Sequence, residues 1–150
     1  LALGSGTTKG VDANIADKVT KENIKEVVRF AQEFSRKTGA VIAITGAIDL
    51  VCNQEKAVAI ENGHAMMSCI TGTGCQLSAL TASFISANPA HLLEATLAAV
   101  CTMGLAGEIA HTRLTHLDGN ASYRNYIIDA IYNMTSQQLQ EGAKYQEVLF

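Results

Sequence analysis

The sequence has no excess of positive charge, no paired cysteines, no membrane-length apolar run and no repeat, and each absence removes a class of function. Lys and Arg number 11 against 14 Asp and Glu, a net charge of -3. Nothing in that balance draws the chain to nucleic acid or to an anionic membrane. Cys52, Cys69, Cys75 and Cys101 form no CxxC pair and no Cys/His ligand spacing. A disulfide framework does not suit a chain that is 48% hydrophobic, so the four are read as reduced thiols of a cytoplasmic protein. The first residues, Leu1-Ala-Leu-Gly-Ser-Gly6, lack the basic and apolar regions of a signal peptide. The longest apolar stretch, Ala95 to Gly107, is 13 residues between Glu94 and Glu108, which suits a buried helix rather than a membrane span. With no linker or low-complexity tract, the 150 residues read as one domain, long enough to bury a core.

What is there alternates between helix and strand patterns. Residues 1–17 are rich in Gly, Ser, Thr and Asp without a sustained period and read as loop. From Thr20 to Lys37, apolar residues at Ile24, Val27, Val28, Ala31 and Phe34 predict an amphipathic helix, capped by Thr20 and ended by Gly39. Ala40 to Thr45, a continuous apolar run ended by Gly46, reads as a strand buried on both faces of a parallel sheet. Ile48–Cys52 and Ala57–Ile60 read as two more strands around a turn at Asn53 and Gln54, followed by an Asn62-Gly63 turn. Helices are predicted over Cys75–Ala87, from Pro89 or Ala90 to about Leu114, and over Tyr123–Met134. Residues 115–121 form a loop, and Thr135 or Ser136 caps a short last helix through Gln140. The pattern is α/β, with helices on a mostly parallel sheet.

In open α/β sheets ligands sit at the carboxyl ends of strands and at helix N-termini. Two segments fit that rule. Ile44-Thr45-Gly46-Ala47 ends the first strand with a hydroxyl and a glycine backbone. Thr71-Gly72-Thr73-Gly74-Cys75 opens a helix with glycines that let backbone amides converge on an anion. Neither segment matches GxxxxGK[ST] or completes GxGxxG.

The residues themselves carry more than the pattern. Val41-Ile-Ala-Ile-Thr-Gly-Ala-Ile-Asp-Leu50, Asn62-Gly-His-Ala-Met-Met67 and Ile70-Thr-Gly-Thr-Gly-Cys75, with Thr7-Thr-Lys-Gly-Val-Asp12 near the start, resemble the hydroxyethylthiazole kinases of thiamine biosynthesis and salvage. These belong to the ribokinase-like superfamily. The most specific element is Cys75, where ribokinase relatives usually carry aspartate. The resemblance implies a three-layer α/β/α sandwich and transfer of the ATP γ-phosphoryl group to 4-methyl-5-(2-hydroxyethyl)thiazole with Mg²⁺. It further implies a homotrimer with active sites at subunit interfaces. By motif, Thr45 and Gly74 correspond to ATP contacts, Gly72 to a thiazole contact, and Cys75 to the catalytic position in the anion hole. The resemblance makes residues 1–150 the C-terminal part of one ribokinase-like domain. A preceding part would hold a thiazole-site methionine, an ATP-site arginine and the acidic metal site, so no metal ligand is expected in this chain.

Phosphoryl transfer requires charge stabilisation, an aligned hydroxyl and modest help with its proton. The amides from Gly72 to Cys75 supply the first, each such donor being worth roughly 3 kcal/mol in other enzymes. The helix terminus favours the Cys75 thiolate while nearby phosphates disfavour it, so Cys75 is read as a positioning group and weak base. Cys52, Cys69 and Cys101 are read as core thiols. Asp49 is read as a support of the strand turn rather than a magnesium ligand, Asp12 as a turn former, and Met66 and Met67 as packing. His64 receives no role, and His91, His111 and His116 lack ligand spacing. Two rivals stand beside this reading. Another ribokinase-like kinase, such as a hydroxymethylpyrimidine kinase, would place aspartate at position 75. A thiol-dependent enzyme using Cys75 as nucleophile would need a resolving cysteine or a histidine-acid partner, and neither is identifiable.

Overall fold

The computed structural model describes residues 19–149. The motif at Thr7–Asp12 lies outside them. Helix α1, Ile24–Thr38, buries one face through Val28, Ala31, Gln32 and Ser35. Its N-cap is Asn23 rather than Thr20, and the two residues exchange bonds: the Thr20 amide donates to Asn23 Oδ1 and the Asn23 amide to Thr20 Oγ1. Gly39 ends it in the left-handed conformation, as predicted. Strands β1, Ile42–Ile44, β2, Asp49–Cys52, and β3, Ala57–Ile60, follow, and the fourth strand β4, Tyr145–Glu147, returns from the end of the chain.

The sheet runs β1-β2-β3-β4 and all three pairings are antiparallel. The expectation of a mostly parallel sheet is corrected for these strands. A parallel connection needs about a dozen residues or more, and residues 45–48 and 53–56 are too short for one. β1 is also an edge strand, with Ala43 exposed, so it is not buried on both faces as its apolar run implied.

Side-chain alternation explains the two cores around this sheet. Leu50 and Cys52 of β2 and Ala57 of β3 pack with Val28 and Ala31 of α1 on one face. Val51 and Ile60 point the other way, onto Val100 and Cys101 of helix α3, Leu92–Thr112. The register Leu50↔Ala59 and Val51↔Val58 keeps these two sets on opposite faces across both strands.

A 3₁₀ turn at Ala65–Cys69 leads from the sheet into α2, Thr73–Ala87. Helix α4, Asn120–Asn133, packs on α3 in a third core through Met103, Ala106, Ala110, Tyr123, Ile127 and Ala130. The Tyr123 hydroxyl donates to the Gly107 carbonyl at 3.0 Å, satisfying the one polar group it buries. Helix α5, Ser136–Gly142, starts at the predicted Thr135 cap in a capping box with Gln138. Helix α3 is long and apolar enough by composition to cross a membrane, but 67% of its most apolar window is buried inside the protein. It is a core helix.

Candidate active site

Gly72 is the hinge of the Thr71–Cys75 turn. Its φ of 97° lies in the left-handed region, where any other side chain costs about 1–2 kcal/mol. From this N-cap, α2 begins at Thr73, two positions ahead of the Cys75 start expected from the apolar pattern. The first helical bond runs from the Gln76 amide to the Gly72 carbonyl at 3.0 Å. The amides of Thr73, Gly74 and Cys75 therefore precede the helical ladder and stand at its positive end. Gly74 and Cys75 are exposed and Gly72 is half-buried. Nothing lies within 4 Å of where a Cβ on Gly74 would stand, so the turn is open on that side.

Thr45 is exposed and sits just beyond β1. Ile44 pairs with Leu50, and Leu50 with Ala59, so β1 and β3 both leave the sheet at the same end. The Thr45 loop and the segment feeding the Gly72 turn thus start from the same end of the sheet, with β2 between them. No hydrogen bond among the described residues joins Thr45 to Gly72–Cys75. Residues 72, 74 and 75 come together on one turn, and Thr45 stands on a separate loop.

Asp49 closes that loop. Its Oδ1 accepts the Gly46 amide at 2.8 Å, and as the partner of Ile60 it belongs to the face that packs on α3. Burial pushes its carboxyl up to about 6, against the lowering effect of the Gly46 hydrogen bond. Across from it, burial first and the Asp49 charge second raise the Cys101 thiol to about 11, so that thiol stays neutral. The folded carboxyl lies above its unfolded value of 3.8, so the fold prefers the protonated form. The stability that goes with that preference is complete below pH 3.8 and is lost as pH rises through about 6. Asp49→Asn removes the charge but keeps an oxygen acceptor for Gly46. Allowing for partial exposure, it should stabilise the protein by about 2 kcal/mol near pH 8, with most of the gain gone near pH 4. Denaturant unfolding of both proteins at the two pH values measures it.

The segment between β3 and the turn is held by contacts that span the chain. Asn62 donates from Nδ2 to Glu108 Oε1 at 3.1 Å and to the Gly142 carbonyl at 3.0 Å, and accepts the Lys144 amide at 2.7 Å. Glu108 also accepts the Gly63 amide at 2.9 Å and pairs with Lys144 Nζ at 2.6 Å. Burial acts to raise the Glu108 carboxyl, but Lys144, Gly63 and Asn62 together outweigh it and hold it below the usual range. Gly104 is what lets Asn62 sit here: a Cβ on it would meet Asn62 Cβ at 2.6 Å and the Asn62 carbonyl carbon at 2.8 Å. His64 follows, its Nδ1 accepting the Met66 amide at 3.2 Å and its ring stacked on His111 with centroids 3.5 Å apart.

This Asn62–Glu108–Lys144 assembly had no signal in the sequence, because its members lie 46 and 82 positions apart. The His64–His111 stack is of the same kind. Cys52 and Cys101 are buried as expected, but Cys69 is exposed, correcting its assignment to the core. It ends the 3₁₀ turn, where its carbonyl accepts Asn120 Nδ2 at 3.0 Å and its side chain is left exposed. No group of three or more His, Cys, Asp or Glu side chains able to hold a metal ion occurs among the described residues.

The hydroxyethylthiazole kinase family profile matches residues 1–137. A hydroxyethylthiazole kinase of Clostridium acetobutylicum is 58% identical over 146 residues, covering 97% of this chain and 54% of the relative. The hydroxyethylthiazole kinase 2 of a Clostridium botulinum strain is 37% identical over 129 residues, covering 86% of this chain and 46% of the relative. Among solved structures, the hydroxyethylthiazole kinase protein of Pyrococcus horikoshii aligns with a TM-score of 0.75 and 29% identity, over 85% of this chain and 48% of that one. The chain spans about half the length of these relatives. On the family match and this identity, the chain belongs to the hydroxyethylthiazole kinase family.

Proposed function

We propose that the whole protein transfers the γ-phosphoryl group of ATP to the hydroxyl of 4-methyl-5-(2-hydroxyethyl)thiazole. The observation that carries this reading is the open turn at the start of α2, in which left-handed Gly72 presents the Thr73–Cys75 amides and an exposed Cys75 follows in the first helical turn. Family membership supplies the substrate class.

In this reading the substrate hydroxyl oxygen forms a bond to the γ-phosphorus as the bond to the β,γ-bridging oxygen breaks and ADP leaves. The turn amides, with Gly74 among them, stabilise the negative charge on the migrating group. Gly72 lies against the thiazole, and Thr45 contacts the nucleotide phosphates. Cys75 orients the hydroxyl and takes its proton, or passes it to solvent. The described residues hold no cluster of acidic or thiol ligands that fits Mg²⁺, and no step here is routed through it. Mg²⁺ is proposed only as the usual companion of ATP in the whole protein. Gln76 adds support, since its buried Oε1 has no partner among the described residues and a ligand donor would satisfy it.

The three-layer sandwich with a mostly parallel sheet, as one domain to which this chain contributes, belongs to the same proposal. The exposed edge strand β1 is suited to accept a further strand. The proposed homotrimer draws on α2, an apolar helix none of whose residues is buried in this chain. Helix α3, by contrast, is already covered by its own chain. The free, unbridged cysteines agree with a cytoplasmic setting.

The test is ADP release by the full-length protein, coupled to an optical readout, with hydroxyethylthiazole as acceptor and hydroxymethylpyrimidine and ribose as controls. Thiazole-dependent release is expected. Release with a control acceptor but not with thiazole, or no release at all, would sink the proposal.

A further inference from the structure

We propose that Asp49 is a positioning residue for the nucleotide, fixing the Thr45–Ile48 loop through the Gly46 amide and so setting where Thr45 meets the phosphates. This rests on the reading of Thr45 as a nucleotide contact.

Three observations carry it. The loop joins β1 to β2, and the 2.8 Å bond from the Gly46 amide to Asp49 Oδ1 closes it across Ala47 and Ile48. Asp49 is itself fixed, as the first residue of β2 opposite Ile60, on the face that packs against α3. The bond therefore ties an exposed loop to the rigid part of the fold. The third is the choice of residue. A turn-closing acceptor is equally available from Asn or Ser. A carboxylate here faces the Cys101 thiol, and among the described residues no Lys, Arg or His pairs with it. Its burial raises the carboxyl to about 6, a cost in stability at neutral pH that turn closure alone does not require. A charged acceptor holds an amide more firmly than a neutral one, which is what a loop presenting one hydroxyl to a polyphosphate needs.

The experiment compares the full-length protein with Asp49→Ala and Asp49→Asn. Asp49→Ala should raise KM for ATP roughly tenfold, the effect of losing one charge-assisted hydrogen bond. KM for the thiazole should not move. Asp49→Asn, which keeps an acceptor for Gly46 but not its charge, should recover only part of the ATP affinity. In parallel, the Gly46 amide resonance of the wild type should shift with a midpoint at about pH 6, and that titration should vanish in both variants. An unchanged KM for ATP in Asp49→Ala, equal losses for both substrates, or a Gly46 amide insensitive to pH would each overturn the proposal while leaving the kinase reading intact. A wild type that releases no ADP with thiazole would overturn the kinase reading itself, and the positioning role with it.

Discussion

Cys75→Ala in the full-length protein is expected to lower kcat by about tenfold to a hundredfold without abolishing it, at the lower end of what a positioned acid or base contributes. Stability should stay within about 0.5 kcal/mol, as for a surface substitution away from any buried contact, because Cys75 is exposed in the first turn of α2. That separation makes the experiment clean: the loss of turnover has no folding component to confuse it. Some rate must survive, since the amides at the helix start come from the backbone and remain after truncation. Cys75→Asp should retain or exceed wild-type turnover, because a carboxylate at this position can also accept the hydroxyl proton. Steady-state kinetics with both variants measure it. If Cys75→Ala turned over at the wild-type rate, the thiol would have no part in the reaction.

Gly104→Ala is expected to be the most disruptive glycine-to-alanine change among the described residues. The new Cβ would meet Asn62 Cβ at 2.6 Å and the Asn62 carbonyl carbon and oxygen at 2.8 Å each. Two of those atoms are backbone, and Asn62 is pinned by its bonds to Glu108, Gly142 and Lys144, so neither side can yield by a rotamer change. Overpacking of this kind costs roughly 1–3 kcal/mol or more. Alanine returns up to about 1 kcal/mol of helix propensity, so with backbone atoms in the clash placing the cost at the upper end of that range, the net loss is about 2 kcal/mol. A fall in melting temperature of several degrees should follow. Displacing Asn62 also shifts the segment leading to Gly72, so turnover should fall by more than the folded fraction does. Gly119→Ser, at the α4 N-cap with open space around it, is the reference and should change stability little. Thermal unfolding alongside kinetics distinguishes the two, and a Gly104→Ala protein as stable as wild type would show that Asn62 is free to move.

Local signals in the sequence translated well and long-range ones did not. Helix α1 was legible because Val28, Ala31 and their neighbours form a single buried stripe, with glycine at its end. The Gly72–Cys75 turn was legible because a left-handed turn and a helix start are decided within a few residues. Strand positions for β2 and β3 were legible too, but their direction was not. An apolar run such as Val41–Ile44 looks the same in a parallel core strand and at an antiparallel edge, and only the lengths of segments 45–48 and 53–56 distinguish them. β4 has no local sequence signal, because Tyr145–Glu147 is short and exposed and is held by pairing to Val58–Ile60 far back in the chain. The exposure of Cys69 likewise follows from the 3₁₀ turn it ends, a detail its apolar neighbours do not encode. At the candidate site, spacing marked only two possible anion-binding segments, and the roles of Thr45, Gly72, Gly74 and Cys75 came from the resemblance to the kinase family. Asp49 could be read as a support of its turn, with Gly46 as the partner supplied by the structure, whereas the clasp of Asn62 by Glu108 could be found only from coordinates.

The central claim is that the turn at the start of α2 is the mouth of the substrate site, and its own cysteines offer the most direct test. Cys69 and Cys75 are both exposed, while Cys52 and Cys101 are buried. Alkylation of the full-length protein, followed site by site by peptide mass analysis, should modify the two exposed thiols first. Adding thiazole with ATP and Mg²⁺ should slow modification of Cys75 at least tenfold, the occupancy expected of a ligand at about ten times its dissociation constant, and leave Cys69 unchanged as the internal reference. Equal rates at Cys75 with and without the substrates would contradict the placement of the site at this turn.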